Sequence, residues 1–276
     1  MASFCRQTAL LGIQPMLNRH ALWGASPRLA VTLCTAAILV IAPLFSLAES
    51  AQPSMSRTTA LRPFEAVYQT NALGMTLDLT RSLRREGDTY RLASSGANFL
   101  IKMNESADFR LTNSGIEGIR FTSKVKTLKT SKRAVEFDTE RGVIRSLKRD
   151  EWSEHEMEPG VLDQFSQQQQ LRLTLIQSDE PPETLNFRVV DGAKISDKSW
   201  QRLPDEILQT PLGDINAVHY RAVHKNPQKR ASEIWLAPSL DYLMVKTKHV
   251  ERSSTIKVDI KSLAWLDEDP MGSGSD

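Results

Sequence analysis

Four of the five histidines lie beyond residue 48 and could ligate a metal or carry a proton: His155, His219, His224 and His249. His219 and His224 straddle a strand end, and their odd spacing points them to opposite faces. A zinc site needs three or four converging ligands, with outer groups to orient them. These histidines are therefore read as solvated strand residues, and no metal is expected. Glu154-His155-Glu156 has the composition of a ligand run, but it falls in DEWSEHEMEPG, read as an acidic surface loop. The chain has no Gly-x-Ser-x-Gly elbow and no glycine-rich phosphate loop. No catalytic residue and no cofactor can be assigned.

The segment from Arg120 to Arg133 (RFTSKVKTLKTSKR) holds six positive charges and no acid. On a strand, Lys124 and Lys126 share one face while Phe121 and Val125 take the other. With Lys129 they could meet anionic headgroups or lipopolysaccharide phosphates, at about 1 kcal/mol per residue near a membrane surface. The alternative is a solvated face whose lysines discourage edge-to-edge pairing. The acids of AVEFDTE follow directly and would neutralise the patch across a hairpin. Among the aromatics, core packing is the default. A curved sheet with one helix leaves an apolar cleft between them, where small-molecule and acyl-chain sites form. Phe165 on the helix, with Trp235 and Tyr242 on the sheet, is the ligand-binding set expected there.

These residues depend on elements that begin after an N-terminal segment of another kind. Leu29 to Ala48 carries no charge, is preceded by Arg6, Arg19 and Arg28, and ends on Ser46-Leu47-Ala48. That pattern is a secretory signal, cleaved after residue 48; an uncleaved inner-membrane anchor is the alternative. Cys34 lacks the small residue before it that lipidation needs. The full chain of 276 residues has a net charge of +2. Removing residues 1–48 takes away three of its 35 basic residues and none of its 33 acids, leaving −1. Nothing then supports nucleic-acid binding. Both cysteines, Cys5 and Cys34, leave as well, so stability must come from an ordinary core.

Residues 49–62 read as a flexible leader, 63–266 as one β-rich domain and 267–276 as a disordered acidic tail. Leu77, Leu79 and Leu83 alternate with polar residues, and Glu86-Gly87-Asp88 turns the chain back through Tyr90 and Leu92. Asn113-Ser114-Gly115 and Thr139-Glu140-Arg141-Gly142 mark two further hairpins. After Pro159-Gly160, Leu162, Phe165, Gln169, Leu173 and Ile176 share a helical face, which predicts one helix over 161–177; LRLTLI also alternates as a strand would. Asp163 falls in its first turn, where a negative charge suits the helix dipole. After Pro182 the half-polar alternation resumes, one face packed and one wet.

TPLGDINAVHYRAV, a polar loop and EIWLAPSLDYLMVKTK resemble the C-terminal signature of a bacterial envelope family, the domain-of-unknown-function 3108 family. FEAVYQTNALGMTLDLT and GDTYRLASSG suit its opening hairpin. Met244 departs from the proline that is frequent there. The resemblance spans about residues 63 to 266 and implies an exported, mostly periplasmic protein with a curved antiparallel sheet. That sheet would resemble the lipoprotein-carrier half-barrels that hold a lipid against a helix. It implies no enzymatic activity.

The expected fold is mainly β: a curved antiparallel sheet or half-barrel meander of ten or more strands, with the helix on its concave face. A two-lobed form, 63–150 and 183–266 joined by the helix, is the alternative. The expected function is non-enzymatic binding of a lipid-like ligand in the periplasm. An adaptor binding another envelope protein through the basic strand or a sheet edge is a second reading, and a glycan or lipid hydrolase a third.

Overall fold

The structure, a computed structural model, describes residues 60–266 except 73, 74 and 253. The expected signal, nearly all of the leader and the acidic tail lie outside the described residues. The first hairpins run through β1 (Phe64–Ala72), β2 (Met75–Glu86), β3 (Thr89–Ala97) and β4 (Lys102–Thr112). They continue through β5 (Gly115–Lys126), β6 (Thr130–Asp138), β7 (Val143–Lys148) and β8 (Glu151–Glu156). Then come a two-residue β9 (Val161–Leu162) and the helix α1 (Ser166–Gln177). The second half is β10 (Thr184–Val190), β11 (Ile195–Thr210), β12 (Gly213–Ala222), β13 (Arg230–Ala237), β14 (Leu243–Glu251) and β15 (Ser254–Trp265). A single 3-10 turn, Pro238–Leu240, joins β13 to β14.

All fifteen strands form one sheet, in the order β8-β7-β6-β5-β4-β3-β2-β1-β15-β14-β13-β12-β11-β10-β9. The two halves meet because the first strand pairs with the last, Phe64 opposite Trp265. One continuous sheet thus replaces the two-lobed alternative. Every pairing is antiparallel except β9 with β10. The run Glu154-His155-Glu156 lies in β8, an edge strand, and not in a loop. Its alternation leaves charged side chains along the edge, which discourages pairing with a further chain.

Register makes one face apolar. Phe64 stands opposite Leu83, Leu83 opposite Leu92, Leu92 opposite Ala107, Ala107 opposite Phe121, and Phe121 opposite Val135. All six are buried. At roughly 1.5–3 kcal/mol for each fully buried large side chain, this row across six strands is a main source of stability. Among the described residues the buried members of this core run from Leu61 to Ile260, and Met55–Asp276 forms a compact unit in itself.

α1 lies on this inner face. It starts five residues later than the 161–177 expected from periodicity, because Val161 and Leu162 pair in parallel with Arg188 and Val189. Asp163, buried, then accepts hydrogen bonds from the Phe165 and Ser166 amides (2.7 and 2.9 Å) and from the Ser166 hydroxyl (2.6 Å). It organises the approach to the helix instead of lying in its first turn. Gln170 Oε1 accepts the Ile116 amide at 2.6 Å and pins α1 to β5.

The sheet does not close into a barrel, yet its two ends touch. The turn between β10 and β11 reaches the inner face of β7 and β8. There the Gly192 amide donates to Ser146 Oγ at 2.8 Å, and His155 Nε2 lies 2.8 Å from the Gly192 carbonyl oxygen. Lys148 pairs with Asp191 at the same place. Far from this seam, the β11–β12 hairpin covers part of the outer face. Ile215, Ala217 and His219 are buried there, and so are Val218 and Tyr220 on the opposite side of β12.

Candidate functional site

The alternation that points Leu77, Leu79 and Leu83 inward also points Arg81 inward, opposite Ala66 and Ser94. Arg81 is 7% exposed; its guanidinium lies 4.6 Å from the Phe165 ring centre, and Nη2 is buried without a hydrogen-bond partner. From the helix side Arg172 enters the same interior, 1% exposed. Its Nε donates to the Asp241 carbonyl oxygen at 2.7 Å, while Nη1 and Nη2 are buried and unpartnered. Its guanidinium lies 5.5 Å from the Phe64 ring and 5.9 Å from that of Trp265.

The two arginines are close enough to repel, and both feel Tyr68. The Tyr68 hydroxyl donates to the Met244 carbonyl oxygen at 2.8 Å, and burial pushes its pKa up to about 12. Burial likewise draws Arg81 below its ordinary value and Arg172 down to about 10. Glu105 and Asp241 are the carboxylates felt by Arg81 and Arg172, but neither forms an ion pair with them among the described residues. The aromatic rings offset part of the cost of burying the charges. Donors arranged as a planar fork and enclosed by apolar side chains suit a carboxylate or phosphate.

The turn that presents Asp241 to Arg172 comes from WLAPSLDY. Asp241 and Tyr242 both take left-handed backbone conformations, φ 50° and 53°, and the Tyr242 amide donates to the Ala237 carbonyl oxygen at 2.8 Å. Two successive non-glycine residues in that region are uncommon. The most specific stretch of the sequence thus forms the support for a buried arginine.

The residues expected to line one cleft are not brought together. Phe165 is buried beside Phe121, ring centroids 6.1 Å apart, and beneath Arg81. Trp235 is opposite His219 and Lys246 in the register, on the other face of the sheet from Ile234. Tyr242 is half-buried at the turn beside Arg172's carbonyl partner. Of the three, Phe165 touches the arginine pair directly.

His219 is buried instead of solvated. Its Nδ1 lies 3.1 Å from Glu206, its Nε2 lies 3.3 Å from Glu233 without hydrogen-bond geometry, and Glu233 also pairs with Arg221. Burial lowers the pKa of His219 despite the two carboxylates. The imidazole of β12 thus sits between Glu206 of β11 and Glu233 of β13. Beside it a groove of about 470 Å³ runs between the β11–β12 turn and Val245, Lys246 and Asp259.

Lys124, Lys126 and Lys129 are all exposed, the first two on the outer face and the third in the β5–β6 turn. The acids of AVEFDTE do not neutralise them. Lys124 faces Lys132 and Lys126 faces Thr130, whereas Glu136 faces Arg120 and pairs with Arg145.

Sequence reasoning passed over Arg81 and Arg172. The signal was present: a single arginine at an inward position between leucines, and another inside LRLTLI.

Comparison with known proteins gives a family and distant structural likenesses. The family model described as "Protein of unknown function (DUF3108)" matches residues 67–261. No curated protein matches the sequence. Among solved structures, a β-barrel-like protein of domain of unknown function DUF1849 from Brucella abortus is 9% identical, with a TM-score of 0.48, over 75% of this chain and 99% of that one. Lipoprotein LppX of Mycobacterium tuberculosis is 12% identical, with a TM-score of 0.24, over 80% and 94%.

Proposed function

This chain belongs to the DUF3108 family of proteins of unknown function, and on that premise we propose that it is a non-enzymatic protein of the cell envelope that holds a lipid-like amphiphile between α1 and the sheet. The observation that carries this reading is the pair Arg81 and Arg172, two buried cations: Nη2 of Arg81 and both Nη atoms of Arg172 meet no acceptor among the described residues. An unpaired buried charge costs several kcal/mol, and folded proteins avoid it unless something else offsets the cost. An acidic head group supplies the acceptor, and Phe64, Phe121 and Phe165 supply apolar surface for the chain behind it. Both arginines are buried, so α1 must yield for the ligand to reach them. Its polar attachments that would have to give include Gln170 to Ile116, Arg172 to Asp241, and Arg133 to Gln164 just before the helix. Export to the periplasm rests on the charge-free segment Leu29–Ala48 and the arginines before it.

Native mass spectrometry of protein purified gently from the envelope tests this. The expected result is an adduct with the mass of an acidic amphiphile, lost from the Arg81→Met, Arg172→Met double variant. A bare wild-type mass, with an empty lipid extract, refutes the reading. So does a stoichiometric protein partner in its place, which would make the chain an adaptor.

A further inference from the structure

Two connections emerge side by side at one end of the sheet. Lys102 opens β4 directly opposite Lys126, which closes β5, so the β3–β4 loop (98–101) and the β5–β6 turn (127–129) are neighbours. Both present large apolar side chains to solvent. Phe99 is 84% exposed, Leu100 43% and Leu128 fully exposed. Neither tip is slack. Asn98 Oδ1 accepts the amides of Leu100 and Ile101, each at 2.9 Å, and the Asn98 amide donates to the Ile101 carbonyl oxygen at 2.8 Å. The Thr127 amide and hydroxyl both donate to the Lys129 carbonyl oxygen, at 3.0 and 3.1 Å. The tips are held in shape with their apolar ends outward, into solvent.

Behind the tips the outer face is cationic. Lys102 stands opposite Lys126 and Lys124 opposite Lys132, with Lys129 in the turn. Like charges directly opposite on adjacent strands destabilise a sheet. All five lysines are exposed, and none has an ion pair among the described residues. Arg120 and Arg133 are accounted for, Arg120 by Asp108 and Arg133 by Gln164. The acids at this end are Asp78 on β2, which accepts from Gln69, Glu105 on the inner side of β4, which accepts from Ser123, and Asp150 and Glu151 beside Lys148 and Arg149. Between Lys124 and Lys132 the outer face dips into a shallow depression of about 460 Å³, floored by Ser106, Thr122, Ala134 and Leu147.

We propose that this end of the sheet is a docking edge for an anionic lipid bilayer: Phe99, Leu100 and Leu128 enter the interface, and Lys102, Lys124, Lys126, Lys129 and Lys132 meet the lipid phosphates. Apolar tips ahead of a ring of cations match the layering of a membrane surface, apolar within and charged at the head groups. An acidic protein surface would satisfy the lysines but leave three apolar side chains facing charge. The depression between Lys124 and Lys132 is open enough for one head group. This edge stands independently of what the interior binds.

The test uses the Met55–Asp276 unit with vesicles of phosphatidylglycerol or of phosphatidylcholine. Sedimentation should show binding to the first, weak binding to the second, and a fall with rising salt. The triple variant Lys124→Glu, Lys126→Glu, Lys129→Glu should weaken binding at least about a hundredfold. Phe99→Ser with Leu128→Ser should weaken it by a similar factor, with an unchanged circular dichroism spectrum. A Phe99→Trp variant should be quenched by brominated lipid in phosphatidylglycerol vesicles. Equal binding to both vesicle types, or no quenching at position 99, overturns the proposal. Binding unaffected by both sets of variants overturns it too, as does capture of a soluble acidic protein that survives loss of Phe99 and Leu128.

Discussion

Trp235 lies flat on His219, ring centroids 4.2 Å apart and planes 14° from parallel, with Lys246 Nζ 4.8 Å above the indole. The stack and the covering hairpin keep the imidazole from water, which lowers its pKa from 6.5. His224 is lowered too, by burial and by Arg230. A depressed histidine pKa means that the unfolded chain binds more protons just below pH 6.5. Stability should therefore hold above that pH and fall as the pH drops from 6.5 toward the folded values. Urea midpoints across about pH 5 to 8 check the sign. His219→Gln should flatten the slope; a slope unchanged by that substitution would remove His219 as its source.

Arg81→Met should make the protein more stable. The substitution removes a buried charge that makes no ion pair among the described residues and keeps a long apolar side chain beside Phe165. Replacing buried charge by apolar volume is often neutral or stabilising by about 1–4 kcal/mol, less about 1 kcal/mol for the lost ring contact. Thermal denaturation reads the effect. A clear loss of stability would show that Arg81 is paired after all, and would undercut the ligand reading with it.

Asp163→Ala should cost about 2 kcal/mol or more, since it strips acceptors from two amides and a hydroxyl at a sealed helix entrance. Asp163→Asn keeps one carbonyl acceptor and should lose less. Denaturant midpoints of the two variants, compared with the parent, decide it.

Gly96→Ala should loosen the β2–β3 pairing. A Cβ at Gly96 would sit 2.5 Å from the backbone carbonyl oxygen of Asp78, and backbone cannot move aside as a side chain can. A cost of about 1–3 kcal/mol is expected, with faster amide exchange at the end of that hairpin. Exchange unchanged there would mean the strands already have slack.

The hairpins that reverse at Gly87, Gly115 and Gly142 were legible because their turn residues announce them, whereas those at 98–101 and 127–129 were not. Gly87, for example, takes φ 64° between β2 and β3. The existence of α1 was legible from its 3.6-residue spacing, but its start was not. Val161 and Leu162 fit a helical face as well as a strand, and only pairing with distant Arg188 and Val189 decides between them. Alternation also could not say which face would be covered twice. Trp235 was expected in a cleft with Phe165; the β11–β12 hairpin folds over the outer face and buries it there. Arg81 was hidden by its neighbours, since a strand of inward leucines reads as apolar even when one position is not. Phe99 and Leu128 gave no local signal, because exposure depends on what fails to pack against them.

The contact between the two ends of the sheet has a mechanical consequence. Ser146, Lys148 and His155 hold the Asp191-Gly192 turn through side chains, and no backbone ladder crosses that gap among the described residues. A closed ring resists widening at every strand alike; this one has a clasp. Pulling β7 and β8 away from the β10–β11 turn breaks these three contacts, whereas separating β1 from β2 breaks a whole row of amide bonds. Undoing the clasp would carry with it α1, the segment between those two ends in the chain.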